Sequence, residues 1–391
     1  MVSVQELQNL EPAAWRRLLR EPGSPAVMPI VHVEVEECWC GPNLVRYLLE
    51  LANERDTLPL VGKWTTAVEA RFYRDMAAAF PDFTPRCWLS HLNQEQSWLI
   101  LSDVSGHFEP AAWTEDDLER MVGVLAAVHT AFWKNGPVLA WLPHLLHGSA
   151  KQEQAIRELV ALFHGAAYYP GPYQAALSEH AVRRSGRLAP MLLQAGLAVT
   201  LLRRLGGWPE VVSERVLTAV ADLLDDPVPM IQPLLELPIC LLHGNPAPHH
   251  WQLNLLDGVY LLGWEAAVSG PGVYDLMSFM EQLHHTPALD GRFCEETLVD
   301  SYLLRMSARL GKRFPARPTR LALPAARALY LLAVELPKLV PLLRPLLRQP
   351  ELPPQGLTDD WLQAAEAVQL IEQRPLLTAM FGRLWRAFKL L

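Results

Sequence analysis

The sequence has no excess of positive charge. Its 391 residues include 34 lysines and arginines against 42 aspartates and glutamates, a formal net charge of −8 at pH 7. Proteins that bind nucleic acids broadly do so through a basic surface that neutralises phosphates. We therefore expect no nucleic-acid partner. Half of the residues are apolar, so a chain of this length can bury a full core.

Cysteine is scarce as well. The five cysteines are Cys38, Cys40, Cys87, Cys240 and Cys294. An odd number at such spacing forms neither a disulfide framework nor a paired metal-ligand signature, so a reducing compartment, the cytoplasm, is predicted. Cys38 and Cys40 would share one face of a strand, but two thiolates without a matching cluster make a poor zinc site. We predict that the cysteines are structural.

Long hydrophobic runs are missing too. The N-terminal residues mix acidic side chains with arginine, so they do not read as a signal peptide. The apolar stretch from Leu321 to Leu347 is interrupted by Pro337, Pro341 and Pro345, and no membrane-spanning helix is expected. The basic amphipathic segment 379–391 has the composition of a membrane-surface helix or of a helix that packs on the core, and we predict packing.

The pattern of apolar residues predicts strands first and helices afterwards. A short amphipathic helix is expected before residue 30. Strands are expected at 30–37, 44–52, 58–63 and 98–101, and a helix at 67–80. From residue 103 the pattern is mainly helical, and only 238–260 and its neighbours interrupt it with strands. These patterns predict an α+β fold.

The segment from Leu241 to Leu276 carries the most specific motifs. It contains His243-Gly244-Asn245, Gly263-Trp264-Glu265 and a GPGVYDL run that ends just after Asp275. The segment resembles the catalytic core of the aminoglycoside phosphotransferase and choline kinase superfamily, whose pattern is His-Gly-Asp, four residues, Asn, and then a strand that ends in Asp-Trp.

This resemblance extends from about residue 30 to residue 290 and implies a two-lobed, protein-kinase-like fold. A small antiparallel β-rich lobe would occupy residues 1–102, and a large helical lobe would occupy residues 103–391. Trp264 would belong to the scaffold of the site. Asp275 would be the buried aspartate that braces the catalytic loop.

Three positions of the pattern hold other residues. Asn245 stands at the position of the catalytic aspartate, and an amide cannot take a proton at neutral pH. Loss of a general base usually costs about 10² to 10⁴ in rate. His250 and Gly263 stand at the two metal-binding positions, which puts the Mg²⁺ site in question because magnesium prefers oxygen ligands. His250 would suit zinc or manganese better, or it simply fills a polar loop.

Glu265 is a candidate surrogate metal ligand. It lies two residues beyond Gly263, so in an extended segment its side chain would leave on the same face. The family often has an acid at this position, so Glu265 is also expected there if it binds no metal ion.

The resemblance also implies the parts of an ATP site. Lys63 would contact the nucleotide phosphates and Glu69 would hold it, although a solvated lysine and a glutamate at a helix start explain the pair equally well. The hinge strand, with Leu101 and Asp103, would bind adenine through backbone groups. The only candidate turn for phosphates contains Gly41 and lacks the closely spaced glycines that such a loop needs. Tyr168, Tyr169, Tyr173 and Trp208 could line a pocket for an organic ligand, although packing in the core is the default expectation for most of them.

Two functions agree with this pattern. The first is a catalytically impaired phosphotransferase-like protein, a pseudokinase, that binds a protein, a peptide or a small molecule and acts as a scaffold or regulator, for example in a peptide-modifying or other biosynthetic complex. The alternative is a divergent but active ATP-dependent phosphotransferase that acts on a hydroxyl group. In the second case a histidine-bearing metal site with Glu265 would replace the family's carboxylates.

Overall fold

The structure is a computed structural model that describes residues 9, 11–19, 29–36, 43–52, 57–93, 96–104, 108–146, 189–254, 258–349, 353 and 355–391. Some residues singled out above lie outside the described residues: Cys38, Cys40, Gly41, Tyr168, Tyr169 and Tyr173.

The first 146 residues contain five strands and four helices within their described part. In chain order these are α1 (Pro12–Leu18), β1 (Ile30–Glu36), β2 (Leu44–Leu51), β3 (Thr57–Thr65), α2 (Ala67–Asp75), β4 (Cys87–His91), β5 (Ser97–Ser102), α3 (Glu115–Ala131) and α4 (Gly136–Leu139).

From residue 189 onwards helices dominate, with two short β-ribbons. In chain order the elements are α5 (Ala189–Arg204), α6 (Glu214–Asp225), α7 (Val228–Leu235), β6 (Ile239–Leu242), β7 (Trp251–Leu253), β8 (Val259–Leu261), β9 (Val268–Pro271), α8 (Val273–His284), α9 (Glu295–Leu310), α10 (Ala316–Leu321), α11 (Leu323–Tyr330), α12 (Leu339–Leu343), α13 (Asp359–Ala364) and α14 (Val368–Phe388). A π-helical turn, Leu331–Glu335, follows α11.

The five N-terminal strands form one antiparallel sheet in the order β1-β2-β3-β5-β4. Because side chains alternate between the two faces of a strand, one face collects Tyr47, Leu60 and Trp98 and packs against Trp15 of α1 in a buried core. The predicted α+β class, with a small antiparallel sheet first and a mainly helical part after it, is confirmed.

Helix α2 begins beside the end of β3. The Thr66 hydroxyl caps it by accepting a hydrogen bond from the Glu69 N–H at 3.3 Å. The helix was predicted to run to residue 80, but it ends at Asp75 and a short 3₁₀ turn, Ala77–Ala79, carries the apolar pattern on to the buried Phe80. Strand β4 was not predicted, because its residues, CWLSH, show no clear alternation.

Contacts between residues divide the chain into two compact units. The first contains Met1–Ala131, His243–Ala267 and Arg292–Cys294, and the second contains Phe132–Leu242, Val268–Gly291 and Glu295–Leu391. The predicted boundary between residues 102 and 103 stays a prediction, since these units are discontinuous in sequence.

The C-terminal helix packs within the second unit. Helix α14 contacts α11 and α6, and Met380, Phe381 and Leu384 are buried in these contacts. This is the packing that the amphipathic pattern of residues 379–391 predicts. No helix in the described part of the chain has both the length and the apolarity needed to cross a membrane.

A network of charged side chains joins α8, α9, α11 and α14 in the second unit. The fully buried Glu281 pairs with Arg327 at 2.8 Å and with Arg383 at 2.8 Å. Arg327 also pairs with Glu295. Buried carboxylates need such partners, because an uncompensated charge in the interior is strongly destabilising.

Glu335, at the end of the π-helical turn, is a second centre of this network. Its carboxylate accepts hydrogen bonds from Tyr330 Oη at 2.7 Å and Lys338 Nζ at 2.8 Å, and it lies 3.2 Å from His285 Nδ1. Burial alone would raise the pKa of Glu335, but His285 and Lys338 outweigh burial and lower it to about 2. In the same way, His284 and Arg327 overcome the effect of burial and lower the pKa of Glu295 to about 2.

Stability should therefore fall in acid. A carboxylate whose pKa is lower in the folded than in the unfolded chain stabilises the fold above its unfolded pKa and loses this contribution as pH falls from about 4.5 towards 2. For Glu335 the contribution at neutral pH is on the order of 3 kcal/mol. Urea denaturation between pH 7 and 2.5 should show this loss, and Glu335→Gln should be less stable at pH 6 and less dependent on pH. Glu296→Gln, at an exposed position of α9, serves as the control, and an unchanged pH slope in Glu335→Gln would contradict the assignment.

Candidate functional site

The loop between β6 and β7 has a glycine at its tightest point. Gly244 has φ +82°, and a Cβ atom at this residue would lie 2.1 Å from the backbone oxygen of Ala266. Only glycine combines this conformation with such a close approach. The loop that carries Asn245 is thereby held against the turn that follows Gly263.

His243 holds this loop in place through hydrogen bonds of its ring. It is fully buried, and its Nε2 donates to the backbone oxygen of Leu262 at 2.8 Å, since a carbonyl can only accept. Its Nδ1 then accepts from the Asn245 N–H at 3.4 Å. Trp264 packs edge-on against the ring with centroids 4.7 Å apart. His243 is therefore engaged through both nitrogens and acts as a scaffold residue.

His250 is likewise held in one tautomer. Its Nδ1 donates to the backbone oxygen of Asn245 at 2.7 Å, which leaves Nε2 as the unprotonated nitrogen. Burial and the neighbouring His243 lower the pKa of His250 to about 4. The imidazole is therefore neutral at physiological pH.

The neutral ring of His250 lies directly over Gly263. A Cβ atom built on Gly263 would lie 2.5 Å from Cδ2 and 2.7 Å from Nε2 of His250, and Gly263 itself has φ +75°. Both the space and the backbone conformation at position 263 thus disfavour a side chain. The residues at the two predicted metal-binding positions are therefore in direct contact, because the imidazole lies where the Cβ atom of any side chain at position 263 would be.

These residues do not fit a magnesium ion. Asn245 and Gly263 supply no carboxylate, and the His250 ring leaves no room for a Cβ atom at position 263. Within the described ranges, no group of three or more His, Cys, Asp or Glu side chains is placed to hold a metal ion. The metal-ligand roles of His250 and Glu265 stay predictions.

Lys63, on β3, contacts two carboxylates. Its Nζ lies 2.8 Å from Glu69 Oε2 and 2.5 Å from Glu265 Oε1. Burial alone would lower the pKa of Lys63, but the two carboxylates outweigh burial and raise it, so the ammonium stays charged. The structure therefore joins the predicted Lys63–Glu69 pair, and it adds Glu265 as a second acceptor.

Glu69 connects three parts of the first unit. Only 1% of it is exposed, and besides Lys63 it accepts hydrogen bonds from the Thr65 hydroxyl and from the Trp264 N–H, the latter at 3.1 Å. One turn later on α2, Phe72 stacks on Trp264 with ring centroids 3.8 Å apart. The sequence gives no sign of the hydrogen bond between Trp264 and Glu69, which are 195 positions apart.

The strand predicted as the hinge ends in an ion-pair cluster. Asp103 pairs with Arg46 of β2 at 2.8 Å, and Arg46 also pairs with Glu36 of β1 at 2.6 Å. Leu101 is paired through its backbone with strands on both sides. The N–H groups of Ser102 and Asp103 donate to the backbone oxygens of Arg86 and Pro59, so neither is available to a base.

Arg46 was missed by sequence reasoning. It lies beside Val61 in the sheet register, so the guanidinium that reaches Asp103 crosses the face occupied by Val61 and Leu101. The signal was the opposite charge of Glu36 and Arg46 on neighbouring strands. The adenine-binding role of the hinge stays a prediction.

Asp275 lies in the second unit, on the first turn of α8, and is fully buried. Burial, with a smaller contribution from the nearby Asp275, raises the pKa values of the Cys240 thiol and the Tyr302 hydroxyl. Cys240 is therefore an inert, buried thiol, in agreement with a structural role. That Asp275 braces the catalytic loop stays a prediction.

Comparisons with known proteins give structural similarity only. No family model and no curated protein matches the chain. A crystal structure of a proposed aminoglycoside phosphotransferase from Ralstonia eutropha aligns with 99% of this chain and 98% of its own, with a TM-score of 0.48 and 13% identity. A spectinomycin phosphotransferase in complex with ADP and spectinomycin aligns with 93% of this chain and 94% of its own, with a TM-score of 0.47 and 11% identity. A choline kinase from Streptococcus pneumoniae aligns with 88% of this chain and 95% of its own, with a TM-score of 0.36 and 12% identity.

The structural neighbours of the chain are thus aminoglycoside phosphotransferases and choline or ethanolamine kinases, the superfamily that the motifs resemble. The similarity concerns the fold, and no substrate or activity of this chain is taken from it.

The two carboxylates that contact Lys63 should differ greatly in their effect on stability. Glu69→Ala removes the acceptor for three donors in a buried position and leaves Lys63 with less compensation, which should cost about 3–5 kcal/mol. Glu265 is 36% exposed, so Glu265→Ala should cost at most about 1 kcal/mol. Urea denaturation of both variants measures the difference. Equal costs would show that Glu69 does not organise the site.

Gly263→Asp alone should be poorly tolerated. Overpacking against His250 costs typically about 1–3 kcal/mol, in addition to the backbone strain at positive φ. Gly291→Asp is the matched control, because Gly291 has φ +71° and no atom within 4 Å of its would-be Cβ. It shares the strain but not the clash, and it should be the more stable variant.

A double-mutant cycle tests the coupling directly. Adding His250→Ala to Gly263→Asp should recover stability, with an interaction energy of about 0.5–3 kcal/mol. Urea denaturation of the four proteins of the cycle provides the measurement. Additive effects of the two substitutions would refute the coupling.

Proposed function

We propose that this protein is a catalytically impaired phosphotransferase-like protein that acts by binding a protein or peptide partner. The observation that carries the proposal is the packing of the neutral His250 ring against Gly263, where a Cβ atom would lie 2.5 Å from the imidazole. In such a site the second metal-binding carboxylate is not merely absent. Its place is taken by a packed side chain.

The position of the base supports the same conclusion. Transfer of a phosphoryl group to a hydroxyl uses a residue that accepts the hydroxyl proton and metal ions that neutralise the charge on the phosphates. Asn245 can accept a hydrogen bond but not a proton at neutral pH. Base and metal ligand act as a unit, so the loss of both removes most of the chemistry.

The lysine also supports a weak nucleotide site at most. Lys63 contacts both Glu69 and Glu265, so its positive charge is already compensated within the protein. A nucleotide phosphate that approaches Lys63 has to displace Glu265 and meets the repulsion of a carboxylate. ATP binding is therefore expected to be weak, with Glu265 as the competing anion.

An active transferase is the second candidate, and the intact Lys63–Glu69 pair favours it. In this reading Glu265 would leave Lys63 and bind a metal ion. Phosphoryl transfer through a loose transition state places modest demands on a base, so Asn245 alone does not exclude activity. Gly263 and its packing against His250 argue against it.

Hydrolysis of ATP tests the proposal without knowledge of an acceptor. We expect no turnover above background by the unaltered protein with Mg²⁺ or Mn²⁺. The triple variant Asn245→Asp/His250→Asn/Gly263→Asp restores the family's groups together, and we expect it to show, at most, weak turnover. Turnover by the unaltered protein at the usual kinase rate of about 1–100 s⁻¹ would overturn the proposal. If Glu265→Ala abolished such turnover, the alternative of an active transferase with Glu265 as a metal ligand would replace the proposal.

Calorimetric titration of ATP, with and without Mg²⁺, tests the competition at Lys63. If Glu265 competes with phosphate, Glu265→Gln should bind ATP up to about fivefold more tightly than the unaltered protein, since an exposed ion pair contributes at most about 1 kcal/mol. Lys63→Ala should abolish the binding. Equal affinity of Glu265→Gln and the unaltered protein would show that Glu265 does not compete.

A further inference from the structure

One face of the N-terminal sheet holds apolar side chains around an arginine. Arg46 of β2 lies beside Val61 of β3 in the register of the strands, and Val61 lies beside Leu101 of β5. Residues paired in this way share one face of a sheet, as do residues two positions apart on one strand. The apolar patch on this face therefore consists of Leu44, Leu48, Val61 and Leu101, of which Leu101 is buried and the others are half-buried.

An ion pair lies across this apolar patch. Arg46 Nε lies 2.8 Å from Asp103 Oδ2, and Asp103 follows β5, which is two strands away from β2 in the sheet. The guanidinium therefore passes over β3 and Val61 to reach its partner. The side chains of Arg46 and Asp103 are only 23% and 12% exposed. Because the methylene groups of an arginine pack on apolar neighbours, this side chain shields the patch from water.

Lys63 lies on the same face, beside Leu44 in the register of β2 and β3. An apolar patch that adjoins a lysine suits a planar aromatic ligand with an anionic group, such as a nucleoside phosphate. Stability gives little reason for an arginine at the centre of such a patch, since replacing a buried ion pair by apolar side chains is often neutral or stabilising. The position of Arg46 is explained if the ion pair controls access to the patch.

We propose that the Arg46–Asp103 pair is an autoinhibitory contact that covers the apolar patch and closes it to such a ligand. Binding then requires the state in which the pair is open, and the apparent affinity is reduced by the fraction of molecules in that state. This inference rests on the proposed function in one respect, the weak nucleotide site at Lys63. It adds the contact that closes the site on the side away from Glu265.

Titration with a fluorescent ADP derivative tests the contact through two variants that change the charge in opposite directions. Asp103→Asn releases the guanidinium and Arg46→Ala removes it, so both uncover the patch. Each variant should bind the probe about three- to tenfold more tightly than the unaltered protein, because the open state becomes more populated. Charge alone would strengthen binding of the anionic probe in Asp103→Asn and weaken it in Arg46→Ala.

Glu50→Gln is the matched control. It removes an exposed carboxylate from the same face of β2, four positions from Arg46, and it should bind the probe as the unaltered protein does. The double variant Arg46→Ala/Asp103→Asn should bind no more tightly than the tighter single variant, since both substitutions open one contact. Circular dichroism spectra verify that each variant is folded, and Asp103→Asn, which is nearly isosteric, keeps the test valid if Arg46→Ala is unstable.

Any result other than tighter binding by the folded variants would overturn the inference, and this includes a probe that binds to none of the proteins. Opposite changes in Asp103→Asn and Arg46→Ala would assign the effect to charge. None of these results bears on ATP hydrolysis by the unaltered protein, which tests the proposed function separately. Failure of the contact is therefore distinguishable from failure of the proposed function.

Discussion

The buried carboxylate of Glu69 is the interaction on which the candidate site depends. It accepts hydrogen bonds from Lys63 and Thr65 of β3 and from the Trp264 N–H in the turn after Gly263. Because it is 1% exposed, it cannot exchange these donors for water at low cost. The stacking of Phe72 on Trp264 then fixes α2 against the same turn. The conformations of Gly263 and Glu265, and so the environment of Lys63, follow from this arrangement.

The preserved and the replaced residues of the site differ in their structural cost. Lys63 and Glu69 compensate each other's charge, and removal of Lys63 would leave the buried Glu69 without its cationic partner, whether or not a nucleotide ever binds. An acid at position 263 would instead meet the His250 ring and a backbone with φ +75°. A preserved lysine–glutamate pair is therefore weak evidence of catalysis, whereas the packing of His250 against Gly263 is direct evidence of how the site is filled.

Much of the fold follows from local patterns. Alternation in β1 and β2 predicts the strands, and the apolar spacing from Val68 to Phe80 predicts a helix after β3. The end of that helix at Asp75 was not predictable, because the 3₁₀ turn that follows continues the same apolar spacing. Strand β4 could not be found from CWLSH, which lacks the alternation of a half-buried strand. It exists because β5 offers it a partner edge.

The candidate site shows where inference from sequence ends. The identities of Asn245, His250 and Gly263 indicate missing chemistry, since a residue type alone states what it can bind or deprotonate. The packing at position 263 depends on the positive φ of Gly263 and on the position of the His250 ring, thirteen residues earlier. No local sequence pattern encodes either of them. The Arg46–Asp103 pair is similar, because 57 positions separate its members and only the register of the sheet brings them together. Both contacts depend on tertiary packing, so an acid placed at position 263 alone would meet the His250 ring and a backbone with positive φ, a resistance that the sequence does not show.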